Sequence, residues 1–251
     1  MKAPVLRTEK LSINFGGLKA LSEVEFEIHE GEVVALIGPN GAGKTTFFNL
    51  LSGFLKPSAG RVFFEEREIT GLSPHAICRR GISRTFQKTS IFQELTVFEN
   101  LRLGVQTGHG KRNEFWRSAT SDTTVTKAVH GLLELVGFED KADTMAQNLS
   151  HGDQRLIEVL LGLSTKPRLL LLDEPAAGLS VRETRNMIAH MKELSRNTIK
   201  NIVIVEHDME VVTELATTIY VLHQGEVLCK GSVEDIKSNS RVQDVYLGRL
   251  N

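Results

Sequence analysis

The sequence predicts an α/β fold, a mostly parallel sheet with an antiparallel β part near its N-terminus and an inserted α-helical subdomain. Three observations predict it. The short all-apolar runs Val33 to Ile37, Leu169 to Leu172 and Ile202 to Val205 read as strands buried on both faces, as a parallel sheet requires. Phe47 to Leu51 and Val181 to Leu194 follow two of these runs with helical character, the alternation of an α/β core. From about Lys88 to Leu149 the pattern turns helical over Val97 to Val105 and Val125 to Val136, on either side of a polar stretch from Thr107 to Thr124. Residues 1–87 and 150–251 therefore read as one core, and 88–149 as an insertion.

Composition narrows the class. With 251 residues, 41% hydrophobic and 24% charged, the chain can bury a full α/β core and a subdomain. Thirty basic against 31 acidic residues give a net charge of -1, so no global field draws it to nucleic acid or to an anionic membrane surface. Cys78 and Cys229 lie far apart without metal-ligand spacing, which fits a reducing compartment and buried or bystander thiols. The N-terminus MKAPVLRTEKL lacks a long apolar core, and no run approaches the ~20 apolar residues of a spanning helix. The expectation is a cytoplasmic protein whose membrane work goes through a partner.

Taken in order, Val5 to Phe15 and Glu23 to His29 alternate as half-buried strands around the turn signal Gly16-Gly17, an antiparallel hairpin. Phe15 beside that turn is either a core phenylalanine or a flat face for a purine. The stretch GPNGAGKTT, Gly38, Pro39, Asn40, Gly41, Ala42, Gly43, Lys44, Thr45 and Thr46, then joins a buried strand to a helix. Glycines at 38, 41 and 43 let backbone N–H groups turn inward around an anion, and the helix adds the positive end of its dipole. Lys44 can reach outer phosphates as a point charge, and the Thr45 hydroxyl is placed for magnesium. Nucleotide binding follows.

Arg61 to Phe64 reads as a strand, Pro74 to Arg80 as a short helix, and Ile82 to Phe86 as a strand ending at Gln87. That side chain can ligate a metal or hold a water at the carboxyl edge where open parallel sheets bind ligands. In the insertion, Lys111, Arg112, Trp116 and Arg117 are either a solvated loop with one anchoring tryptophan or a contact for a membrane or partner.

LSHGDQRLIEVLLGLS opens a periodic helix in which Ser150 is an N-cap and Asp153 stands three residues on, as in a capping box. The functional alternative is a second anion site made by Ser150, the Gly152 amide and the helix N-terminus. Two half-sites on one chain suggest a dimer. The leucine strand 169–172 ends in Asp173-Glu174, where alternation separates a carboxylate for magnesium from one that can polarise a water. Ile202 to Val205 ends in Glu206-His207-Asp208. His207 is either structural or, at the same sheet edge as Gln87 and Asp173, a γ-phosphate sensor. Thr218 to Lys230 reads as a hairpin turning at Gln224-Gly225, followed by a helical tail through Tyr246 and Leu247.

Together these stretches resemble the ATP-binding subunit of ABC transporters, over nearly the whole chain. The ordered set carries the resemblance: Phe15, GPNGAGKTT, Gln87, LSHGD, LLLLDEP and His207. It implies an ABC-type P-loop NTPase core, ATP with Mg2+, and the adenine-stacking role for Phe15, with phenylalanine where tyrosine is commoner. It assigns Gln87, Glu174 and His207 to catalysis, Thr45, Gln87 and Asp173 to the metal, and Ser150 and Gly152 to the partner subunit's nucleotide. Two departures stand out. LSHGD replaces the commoner LSGGQ yet keeps the serine and second glycine, and Ser180 in AAGLS stands where the family often has an aspartate that contacts the opposite subunit.

LSHGDQRLIEV, LLLLDEPAAGLS, IVEHDMEVV and VQDVYLG look most like importers of branched-chain amino acids, urea and related amides, with lipopolysaccharide exporters sharing similar tails. The resemblance implies a second ATPase subunit, homo- or heterodimeric, integral membrane permease subunits, an indirect solute-binding protein, and a peripheral position on the inner face of the membrane. By it, the 88–149 insertion docks a permease helix, with Phe92, Leu95 and Phe98 as groove residues. A soluble ATPase acting on DNA or ribosomes is the rival from another class; it usually has two cassettes or a long coiled coil, and this chain has neither.

Overall fold

The computed structural model describes residues 3–85, 91–108 and 123–246. Strands β1 (Leu6–Phe15) and β2 (Leu18–Ile28) form the antiparallel hairpin, with Phe15 opposite Leu18 across Gly16-Gly17. β2 starts at Leu18 rather than Glu23, because pairing with β1 continues past the point where apolar alternation fades. Next come β3 (Val33–Ile37), α1 (Lys44–Leu51), β4 (Ala59–Phe64), β5 (Arg67–Glu68), α2 (Pro74–Arg79) and β6 (Ile82–Arg84). The insertion holds α3 (Val97–Gly108) and α4 (Thr123–Glu134). It is followed by α5 (His151–Ser164), β7 (Leu169–Asp173), α6 (Val181–Asn197), β8 (Ile202–Val205) and α7 (Met209–Leu215). β9 (Thr218–His223), β10 (Glu226–Gly231), α8 (Val233–Ser238) and α9 (Ser240–Tyr246) complete the chain.

The strands make two sheets, ordered β2-β1-β4-β5 and β10-β9-β3-β8-β7-β6. In the larger one β3, β6, β7, β8 and β9 run parallel, and β10 is an antiparallel edge. Its side chains divide by strand alternation. Leu169 and Leu171 join Val34, Leu36, Val203 and Val205 on the face that packs α1 against the smaller sheet. Leu170 and Leu172 join Ile202 and Ile204 on the opposite face, under α3 to α6. One run of leucines thus serves two cores.

Helix α1 sits between the sheets with Phe47 and Phe48 fully buried, and Phe26 meets Phe47 edge-on at 5.2 Å between ring centres. A buried phenylalanine cut to alanine costs about 3–5 kcal/mol, so this pair fixes the helix that carries Lys44. Ala35, Ile37, Ile219 and Val221 bury a third cluster with Val212, Ile236 and Val242 of the C-terminal helices. Cys78 is exposed and Cys229 half-buried, both free thiols, so burial does not hold for Cys78.

Asn100, buried in α3, gathers the turn before it: its amide donates to the carbonyls of Phe92 at 3.0 Å and Thr96 at 2.9 Å, and its oxygen accepts from Phe92 N–H at 2.8 Å. That turn presents Phe92, 61% exposed. Leu95 is half-buried, and Phe98 leans on the helical core. Gln87, the cluster Lys111, Arg112, Trp116 and Arg117, and Leu247 lie outside the described residues. Among the described residues no helix is long and apolar enough to cross a membrane.

Candidate active site

The parallel strands bring part of the predicted set to one edge. β3 delivers Gly38 to Thr46, its neighbour β8 delivers His207, and β7, next to β8, delivers Asp173 and Glu174. The loop after β3 is braced from both sides. Gly38 has φ 150°, and a Cβ there would stand 2.1 Å from the Leu222 carbonyl oxygen; Gly43, with φ 104°, would press a Cβ to 2.7 Å from Leu21. Only glycine fits either place. The Gly225 amide donates to the Ala42 carbonyl at 3.0 Å, so the β9–β10 turn holds the loop's far side.

Lys44 opens α1, and its ammonium donates to the loop's own carbonyls at Gly38 (2.7 Å) and Pro39 (3.1 Å). Burial lowers its pKa, opposed by the negative charges of Glu174 and Asp173 across the site. An ammonium has three donors, so this one retains a hydrogen for an incoming phosphate. The Thr45 side chain is exposed beside it.

Asp173 is buried at the end of β7. One oxygen, Oδ2, accepts from Arg84 at 2.7 Å, and the same guanidinium donates to Asn49 Oδ1 at 2.7 Å and Ser52 Oγ at 2.8 Å. The other oxygen, Oδ1, is buried with no hydrogen-bond partner among the described residues. An orphaned carboxylate oxygen is costly unless something comes to meet it, and a hard cation or its water is a suitable partner. Thr45 and Asp173 therefore fit magnesium by donor chemistry.

Glu174 takes the opposite direction. It is a non-glycine residue with φ 50°, in the left-handed region that costs about 1–3 kcal/mol, and such strain persists where neighbours over-determine it. Its amide donates to Val205 O at 2.9 Å, and its own carbonyl accepts from Ala177 N at 3.1 Å. The carboxylate turns outward, with Oε1 3.8 Å from His207 Nδ1.

The start of α5 is arranged differently from the sequence expectation. Ser150 caps α5 by accepting from Asp153 N at 3.1 Å, but no capping box forms: the Asp153 carboxylate is drawn to the Lys141 ammonium at 2.9 Å. The Gly152 amide donates to Glu183 Oε1 at 3.1 Å. Glu183 belongs instead to a capping box with Ser180 at the start of α6, accepting from Ser180 N at 2.9 Å and Ser180 Oγ at 2.7 Å. Those bonds, with the Gly152 amide, hold its carboxyl below the usual range. An anion arriving at Gly152 has to displace this carboxylate. Phe15 is 47% exposed at the tip of the hairpin, its ring open to solvent.

Three participants escaped the sequence reading. Arg84 is a charge inside a buried strand, a signal of a buried partner. Glu206 follows four buried β-branched residues and is itself buried. Glu183, three residues after Ser180, completes a capping box that the spacing makes legible.

A glycine loop between strand and helix, with an acidic strand end two places along the sheet, defines a nucleotide-binding P-loop cassette. The chain belongs to the ABC transporter family, whose description "ABC transporter" matches residues 21–177. Over 99% of both sequences it is 41% identical to the high-affinity branched-chain amino acid transport ATP-binding protein LivG of Salmonella typhimurium. Over the same share it is 39% identical to the corresponding protein BraF of Pseudomonas aeruginosa. Its fold matches the solved ADP conformation of an ATP-binding cassette of an ABC transporter with a TM-score of 0.87 at 30% identity, over 98% of this chain and 100% of that one.

Proposed function

We propose that this chain hydrolyses ATP as the cytoplasmic-face subunit of an importer for branched-chain amino acids, working as a dimer bound to membrane permease subunits. The observation that carries the reading is the convergence of Lys44, Asp173, Glu174 and His207 on adjoining strand ends of one sheet. The solute assignment is supported by the full-length similarity to LivG and BraF, and the dimer by a solved dimeric cassette with a TM-score of 0.75 at 25% identity over 91% of this chain.

In this mechanism the amides of residues 38–46 and Lys44 bind the phosphates, and Phe15 offers its face to the adenine. Bound magnesium, held by Thr45, Asp173 and Gln87, would neutralise charge that builds on the phosphates. Glu174 orients a water for in-line attack, and His207 donates toward the γ-phosphate, so the chain's contribution is placement and charge. Ser150 and Gly152 complete the nucleotide site of the second subunit. Residues 88–149, through Phe92, Leu95 and Phe98, dock the permease.

Loss of the chain should abolish energised uptake of radiolabelled leucine, isoleucine and valine and leave urea uptake intact. Retained uptake of all three with loss of urea uptake would reassign the solute. Tagged protein extracted from membranes should bring integral membrane proteins with it, whereas co-purifying ribosomes or DNA would favour the soluble rival.

A further inference from the structure

Glu206 is the residue after β8, and its side chain is 1% exposed. Its two oxygens reach two different loops. Oε1 accepts from Ala176 N–H at 3.0 Å, in the loop that leaves Glu174, and Oε2 accepts from His207 N–H at 3.1 Å. The turn between Glu174 and Ala176 is therefore held at both ends: the Glu174 amide is tied to Val205 O at 2.9 Å, and the Ala176 amide to the side chain of the residue that follows Val205. Glu174 sits inside that bracket with φ 50°. Burying a carboxylate is expensive, and Glu206 is offset by backbone amides together with the neighbouring His207 side chain, which also favours its charged form.

We propose that Glu206 is a positioning residue for hydrolysis, a carboxylate clamp that holds the left-handed Glu174 turn and the His207 loop in register. The role rests on the reading of Glu174 and His207 given above. It explains why an acid occupies this buried place: its two oxygens satisfy amides from both loops at once, which an apolar side chain cannot do. It is buried beneath the two loops rather than exposed at the site. Its effect passes through the placement of Glu174 and His207, where an error near 1 Å can cost on the order of 100-fold in rate.

The test uses the full-length protein with Glu206→Ala and Glu206→Gln, and Glu174→Gln as reference. Affinity for a non-hydrolysable ATP analogue is measured by calorimetry, turnover by phosphate release, and folding by thermal melting. The clamp predicts that Glu206→Ala loses about 10- to 100-fold in kcat while analogue affinity stays within about 3-fold, the split expected when only transition-state placement is lost. Glu206→Gln, which keeps one carbonyl acceptor for one of the two amides, recovers part of the loss and decides the matter if the alanine variant does not fold. Unchanged kcat in the glutamine variant, or kcat and affinity falling together with the folded fraction, overturns the role. Full turnover by Glu174→Gln overturns the underlying reading of the site instead, and the clamp with it.

Discussion

Glu174 Oε1 stands 3.8 Å from His207 Nδ1, two side chains from neighbouring strands that meet outside the sheet with 24% and 62% of their surface exposed. Both are accessible to a water and a phosphate, and neither is part of a packed core. Glu174→Gln should therefore fold and bind ATP normally while losing hydrolysis by about 100-fold or more, on the scale of a lost general-base group. Phosphate-release assays beside calorimetry check both halves, and wild-type turnover would remove the glutamate from its role.

Lys44 is held by the loop it is meant to serve, through the Gly38 and Pro39 carbonyls. Lys44→Ala removes both the charge aimed at the phosphates and a brace of the loop. ATP binding should weaken by at least about 10-fold, equivalent to about 1.4 kcal/mol. Calorimetry giving the wild-type dissociation constant would contradict the phosphate cradle.

Arg84 and Asp173 form an ion pair whose side chains are 7% and 2% exposed. Removing one member leaves a buried charge uncompensated, which costs about 3–5 kcal/mol. Arg84→Ala should lower the urea midpoint by the corresponding amount. A midpoint unchanged within error would mean that water or a cation takes the place of the guanidinium.

Burial pushes the Glu206 carboxyl above its ordinary 4.5, against the pull of the Ala176, His207 and Asp208 amides. A raised folded-state pKa means that the native state holds the proton more tightly than the unfolded chain. That stabilisation is complete below the ordinary value and is lost as pH rises through the folded one. Wild-type protein should therefore gain thermal stability relative to Glu206→Gln as pH falls from 7 toward 4.5. Other carboxylates cancel in the comparison, and a constant difference in melting temperature across that range would contradict the direction.

The strands, the glycine loop and the acids at the end of β7 were legible because each is a local pattern: apolar runs for a two-faced sheet, glycines where φ is positive, charge where burial stops. What could not be read was the traffic between distant segments. Asp153 looked like half of a capping box, but the Lys141 charge from the insertion drew its carboxylate away. The Gly152 amide looked free, yet Glu183 from another helix holds it. Arg84 and Glu206 acquired their meaning only when strands far apart in sequence became neighbours, β6 beside β7 and β7 beside β8. Gln87 lies outside the described residues, so its place in the metal site rests on the sequence.

The central claim is that ATP bound at the Lys44 loop of one subunit is completed by Ser150 of another. Sedimentation of Glu174→Gln protein with and without ATP tests it most directly. ATP should convert monomer to a species of twice the mass, and adding Ser150→Arg to that variant should abolish the conversion while ATP still binds. ATP binding without any change in mass, or dimerisation that ignores Ser150→Arg, would contradict the account.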